Sequence, residues 1–134
     1  MTWTPTGLHH IAIETLKFDD TVNFYTEFLG FRSKATWEER PKRIAMLELS
    51  DGHRLEVFER EHLSPRLGGA IIHFALQTND CRAALNHVRA AGFRITGEAV
   101  KHEVQAHPQS FSAVVGFFEG PNGEAIEFIE SDWL

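Results

Sequence analysis

Two histidines and two glutamates in this sequence stand in matching settings, and their types are those of candidate donors to a metal ion. His10-Ile-Ala-Ile-Glu-Thr15 lies over His73-Phe-Ala-Leu-Gln-Thr78, with the shared pattern His, apolar, Ala, apolar, Glu or Gln, Thr. Further along, Leu29-Gly-Phe-Arg32 matches Ala91-Gly-Phe-Arg94. Later still, Gly52-His-Arg-Leu-Glu-Val-Phe-Glu59 matches Gly123-Glu-Ala-Ile-Glu-Phe-Ile-Glu130. The copies are offset by 63 residues at the histidine, 62 at the Gly-Phe-Arg and 71 at the glutamates, so one deletion and a nine-residue insertion relate them. Three blocks in one order define a duplication, and a duplication fixes architecture before any single element is read.

Strand parity then decides which side chains share a face, because neighbours on a strand point to opposite sides. Ile11 and Ile13 flank one face, leaving His10, Ala12 and Glu14 on the other; Phe74 and Leu76 stand likewise against His73, Ala75 and Gln77. Leu55 and Val57 flank Glu56, as Ile126 and Phe128 flank Glu127. Each of the four strands thus has one face for packing and one carrying a candidate ligand. Two imidazoles and two carboxylates on such faces suit Zn, Ni, Co, Mn or Fe(II). Mg and Ca prefer all-oxygen sites. A buried carboxylate costs several kcal/mol unless it is paired or bound to metal. Glu59 and Glu130 repeat too, but are expected as solvated strand ends. His9 falls on the opposite face from His10 and is read as structural or exposed.

The elements that position these residues follow from local signals. Strands are expected at 8–14 and 70–77, and at 31–38, 43–50 and 55–60 in the first copy, with 93–99, 112–119 and 125–130 in the second. Asp19 or Asp20 is expected to cap a helix with the stripe Val22, Tyr25, Phe28 and Leu29, closed by Gly30. Asn79 or Asp80 should cap the second helix, with Ala84, Leu85, Val88 and Ala91 as its stripe and Gly92 as terminator. Asp51-Gly52 and Asn122-Gly123 read as type I′ hairpin turns. The insertion at 100–109, with His102 and His107, reads as a loop near the mouth of the sheet, where substrate contacts are often carried. The polar stretch 61–69 joins the copies.

Composition narrows the function. The 134 residues fit a single domain, 1–134, with modules 7–60 and 69–130. A net charge of −6 excludes a duplex nucleic-acid binder, which needs a basic face. Cys81 is the one cysteine, which suits a reducing compartment. Residues 1–5 lack the pattern of a signal peptide and no apolar run is long enough to span a bilayer, so a cytoplasmic location is expected.

These blocks resemble the vicinal oxygen chelate superfamily, which includes glyoxalase I, over residues 7–130. The resemblance rests on Gly7-Leu-His-His-Ile-Ala-Ile13, Phe24-Tyr25, Phe28-Leu-Gly-Phe31, Ile72-His-Phe-Ala-Leu76 and Gly120-Pro-Asn-Gly-Glu-Ala-Ile-Glu127. It implies an α+β fold in which two tandem βαβββ modules form an eight-stranded cradle, with metal ligands at His10, Glu56, His73 and Glu127. It also implies a homodimer in which His10 and Glu56 of one subunit meet His73 and Glu127 of the other. The shared chemistry of the superfamily is a divalent metal with open positions that holds two adjacent oxygens of a small-molecule substrate and stabilises an enediolate. Glu127 is then expected as the general base, with Glu56 as its partner.

Two departures bear on the substrate. Gly120 replaces the Asp with which the family's last block commonly begins. Glyoxalase I usually carries arginine four residues after the first histidine, against a glutathione carboxylate, and Glu14 has the opposite charge. Arg40, Lys42 and Arg43 are candidates for an anionic substrate, and Trp37, Phe111, Phe117 and Phe118 for an apolar pocket or for core. The leading reading is a lactoylglutathione lyase-type isomerase. An acyl-CoA epimerase, a fosfomycin-type thiol transferase and a ring-cleaving dioxygenase compete as enzymes, and a bleomycin-resistance-like binding protein competes as a non-enzyme.

Overall fold

A computed structural model describes residues 8–39, 41–65 and 69–134. The expectations for Arg40, for Gly7 and the N-terminal residues, and for part of the 61–69 joint lie outside those residues. The chain divides into two compact units, Met1–Arg66 and Leu67–Leu134. Each holds a four-stranded mixed sheet and a helix, an α+β arrangement.

The first unit contains β1 (Ile11–Thr15), α1 (Phe18–Asn23) continued by a π-helical turn (Phe24–Phe28), β2 (Arg32–Glu39), β3 (Lys42–Glu48) and β4 (Arg54–Glu59). Its sheet order is β1-β4-β3-β2, with β1 parallel to β4 and the other pairs antiparallel. The second unit repeats this with β5 (Phe74–Gln77), α2 (Cys81–Ala90), β6 (Ile95–Val104), β7 (Phe111–Glu119) and β8 (Ala125–Ser131), in the order β5-β8-β7-β6. A parallel first-to-last pairing needs a crossover, and the helix with its hairpin provides it.

One face of each sheet packs under its helix. In the first unit Thr15, Ala45, Leu47, Leu55 and Val57 are buried there with Phe18, Phe24 and Tyr25. In the second, Phe118, Ile126 and Phe128 are buried with Cys81, Leu85 and Val88. Gly116 admits the helix closely: a Cβ there would stand 3.0 Å from Leu85 Cδ2. The expected stripes shift accordingly. Phe28 and Ala91 are exposed, whereas Phe18, Thr21, Phe24 and Cys81 are buried. The wider π turn moves Phe28 off the packing face.

The helix ends explain two further differences. Neither Asp19 nor Asp20 caps α1; Lys17 is the N-cap residue without a side-chain cap, and Thr15 Oγ1 accepts its N–H at 2.8 Å. Asp19 and Asp20 occupy the first turn instead, where the helix dipole favours them. Asp80 does cap α2, accepting Ala83 N–H at 3.0 Å. Gly92 closes that helix in a Schellman motif, with Phe93 N–H donating to Val88 O and Gly92 N–H to Arg89 O.

The two hairpin turns are not type I′. That turn needs positive φ at both central residues, and no non-glycine residue among those described has it. Gly52 N–H donates to Leu49 O and Gly123 N–H to Gly120 O, so each loop is a three-residue type I turn with glycine in the left-handed region. The insertion also differs from its expectation. β6 runs on to Val104, and Val100, His102 and Val104 pair with Val115, Ala113 and Phe111. Alternating apolar and polar residues gave the extra length a partner strand. Only the tip, with His107, is loop.

Candidate functional site

His10 and His73 stand just before β1 and β5 rather than inside them. Their faces are fixed by the register of the following strands. Ala12 pairs with Glu56 on parallel neighbours, and Ala75 pairs with Glu127 in the same way. Paired residues project to one side, so each glutamate shares a face with the histidine two residues before its alanine partner. The distances agree. His10 Nε2 lies 3.2 Å from Glu56 Oε1, and His73 Nε2 lies 3.6 Å from Glu127 Oε2. The carboxylates are mostly buried and the imidazoles partly open, at 12% against 36% exposure in the first pair and 13% against 33% in the second.

That spacing fits a shared ion. Two donors each about 2.1 Å from a tetrahedral or octahedral metal stand about 3.0–3.5 Å apart. The first pair falls within that span and the second just beyond it. Within each unit, among the described residues, no third His, Cys, Asp or Glu joins the pair as a metal-holding set. Each unit therefore presents one imidazole beside one carboxylate.

The residues around the two pairs differ. In the first unit Glu48 accepts from Arg32 Nη2 and Arg54 Nε, each at 2.9 Å, and the Arg54 hydrogen bond leads in holding its carboxyl below the usual range. Glu14 accepts from Arg60 Nε and Ser64 Oγ, each at 2.9 Å. Burial pushes the Glu14 carboxyl up, but the bonds from Ser64 and Arg60 outweigh it and hold the group below its ordinary value. Its negative charge is thus compensated by Arg60, so the charge at position 14 does not stand alone against an anion as its type suggested. In the second unit Phe117 pairs across the strands with Glu127 and meets the His73 ring edge-on, centroids 5.4 Å apart. Val115 and Ile129 form the next row.

Several expected residues have other work. Arg43 is held by Glu59 at 2.8 Å and Asp19 at 2.9 Å, and stacks on Phe18. It ties α1 to the sheet instead of offering a cation to substrate. Glu59 and Glu130 are half-buried fasteners rather than solvated ends: Glu130 accepts Cys81 N–H at 2.9 Å. Phe118 is core, Phe111 packs on Trp133, and Trp37 lies on the exposed strand β2. The Cys81 thiol is buried, and burial raises its pKa, so it is a poor nucleophile. A cleft of about 200 Å³ lies between Lys101, Ser112, Val114 and Asp132, and neither His73 nor Glu127 lines it. His9, expected as structural or exposed, is exposed. Its Nδ1 lies 2.9 Å from His10 Nδ1, with the rings edge to face. Parity sets the two neighbours on opposite faces and gives no sign of a ring contact between them.

Comparisons with known proteins bear on the family and the fold. The model of the Glyoxalase/Bleomycin resistance protein/Dioxygenase superfamily matches residues 7–128. A lactoylglutathione lyase of Haemophilus influenzae is 31% identical over 133 residues, covering 91% of this chain and 90% of that protein. A glyoxalase I mutant from Zea mays superposes with a TM-score of 0.72 at 21% identity, over 90% of this chain and 43% of that one. A fosfomycin resistance protein from Listeria monocytogenes superposes with a TM-score of 0.67 at 13% identity, over 93% and 91% of the two chains. The two superpositions bear on fold alone. Among the described residues no helix is long and apolar enough to cross a membrane.

Proposed function

The chain belongs to the Glyoxalase/Bleomycin resistance protein/Dioxygenase superfamily, and from that premise we propose that it is a metal-dependent lyase or isomerase of glyoxalase I type. The observation that carries the reading is the duplicated half-site, His10 with Glu56 and His73 with Glu127, each on one sheet face at ligand spacing. The full site takes His10 and Glu56 from one subunit and His73 and Glu127 from its partner in a homodimer. Those four residues would hold Zn, Ni, Co, Mn or Fe, which supplies a Lewis acid for two adjacent substrate oxygens. Glu127 removes a proton from one substrate carbon and returns it to the neighbouring carbon, with Glu56 as the second carboxylate of the pair. The apolar surround of Glu127, from Phe117, Val115 and Ile129, excludes water from the carboxylate and favours that proton transfer. The working location is the cytoplasm.

Metal analysis after purification and reconstitution tests the first half of this reading: about one ion per half-site pair is expected, and no bound ion in any preparation overturns it. Turnover is then measured on hemithioacetals, epoxides, catechols and acyl-CoA esters, with an isomerised hemithioacetal as the expected product. The shared site is tested by mixing inactive His10→Ala and His73→Ala subunits. In a mixed dimer one site loses both histidines while the other keeps both, so random exchange restores about a quarter of wild-type activity. No restoration places all four ligands on one chain.

A further inference from the structure

Deepening the metal reading above, we propose that His9 is a positioning residue that orients the His10 ring, donating to its Nδ1 in the metal-free chain and accepting from it when a metal is bound. His10 Nε2 faces Glu56 Oε1 at 3.2 Å, while its other nitrogen, Nδ1, faces His9 Nδ1 at 2.9 Å. His9 Nε2 in turn lies 3.4 Å from Arg54 Nη1, and Arg54 is fixed on Glu48 at 2.9 Å. Arginine only donates, so His9 Nε2 accepts. His9 then carries its hydrogen on Nδ1 and donates it to His10 Nδ1. That leaves the His10 hydrogen on Nε2, where it meets Glu56. One arrangement of hydrogens satisfies every contact in the row Glu48, Arg54, His9, His10, Glu56.

Metal binding at His10 Nε2 requires the other tautomer. The Nε2 lone pair must be free, so the ring hydrogen moves to Nδ1 and His9 Nδ1 becomes its acceptor. The hydrogen of His9 then sits on Nε2 and faces Arg54, which breaks the longest contact of the row and leaves Arg54 on Glu48. His9 thus holds the His10 ring in place in both states, as donor without metal and as acceptor with it. An outer partner of this kind is what orients a ligating imidazole, and its loss typically costs about 10–100-fold in metal affinity. Among the described residues no second imidazole is paired with His73. Its matching neighbour is Ile72, and its ring packs on Phe117.

The experiment measures Zn and Co affinity by competition with a chromogenic chelator for wild type, His9→Leu and His9→Asn, and records the His10 ring tautomer by nitrogen-15 correlation NMR in the metal-free proteins. His9→Leu is expected to weaken both metals about 10–100-fold and to lose the Nε2–H preference of His10. His9→Asn, whose amide oxygen or nitrogen can stand at the Nδ1 position, is expected to bind within about threefold of wild type. Circular dichroism separates loss of fold, and a His9→Leu chain that fails to fold leaves the Asn variant and the wild-type tautomer to decide: His10 with its hydrogen on Nδ1 in the metal-free wild type overturns the proposal. Wild type that loads metal while folded His9→Leu loads as tightly overturns the role of His9 alone. Wild type that takes up neither ion overturns the metal reading and the ligand-orienting role with it.

Discussion

The two units share topology, turn type and the placement of a histidine beside a glutamate, yet the neighbours of the two histidines differ. Arg32–Glu48 and Arg94–Glu119 are the same pair in both, at 2.9 and 3.5 Å. Beyond that pair they diverge. The first unit adds Arg54 where the second has Ala125, His9 where it has Ile72, and Glu14 with Arg60 where it has Gln77 with Ser131. The second unit instead sets Phe117 against Glu127 where the first sets Met46 against Glu56. Duplication preserved the donors and released their neighbours. The first unit adds hydrogen-bonding neighbours to its histidine, whereas the two carboxylates are buried alike, at 12% and 13% exposure. Met46, Ile44 and Phe58 lie on the face of Glu56, and Phe117, Val115 and Ile129 on the face of Glu127.

Under the roles proposed for them, the two glutamates are not interchangeable. Glu127→Gln is expected to lower kcat about 10²–10⁴-fold at saturating metal, the range lost with a general base. Glu56→Gln is expected to act first on metal affinity, with kcat falling less once the site is saturated. Steady-state kinetics at several metal concentrations separates the two. Equal kcat losses at saturating metal erase the distinction, and full activity in Glu127→Gln removes the base assignment.

Which parts of this contrast the sequence revealed follows from the range of each interaction. The duplication, the βαβββ order and the face shared by His10 and Glu56 were legible, because parity and repeats act along the chain and β1–β4 pairing preserved them. The turn type was not, since Asp51-Gly52 suits both a type I′ turn and a type I turn with a left-handed glycine. Glu14 was read by its charge, while its partner Arg60 lies 46 residues away in sequence. The length of β6 depended on a matching extension of β7. The contact of His9 with His10 was not legible, because alternation assigns faces and does not describe contacts between neighbouring rings.

Stability sharpens the comparison at the helices. Leu85 is fully buried against the surface opened by Gly116, and Leu85→Ala is expected to cost about 2–5 kcal/mol. Its counterpart Val22 is only half-buried, so Val22→Ala should cost less than Leu85→Ala in urea unfolding. The caps differ by a smaller amount. Asp80→Ala removes the acceptor of Ala83 N–H and is expected to cost about 1 kcal/mol. Asp20→Ala removes no cap and should cost at most a few tenths of that through the helix dipole. Equal losses for the two aspartates would mean that α1 is capped in solution by a residue the structure assigns to its first turn.

The smallest effect separates the repeated glutamates Glu59 and Glu130. Both fasten the end of a final strand to a neighbouring element, but Glu59 does so through Arg43 and Glu130 through the Cys81 backbone. The Arg43 guanidinium, followed by the Arg43 backbone N–H, lowers the Glu59 carboxyl from 4.5 to about 2. A carboxyl lowered on folding contributes stability above its unfolded value, and that contribution fades as pH falls from about 4.5 through about 2. Below both values each state is protonated and the contribution is gone. The pair is partly open to solvent, so the effect is screened and diminishes further in salt. Urea midpoints measured between pH 2 and 6 should therefore fall less steeply on acidification in Glu59→Gln than in wild type. Glu130→Gln should leave that particular part of the decline in place. An acid profile unchanged by Glu59→Gln would show that the ion pair with Arg43 contributes no proton linkage, and that the two fasteners differ only in their partners.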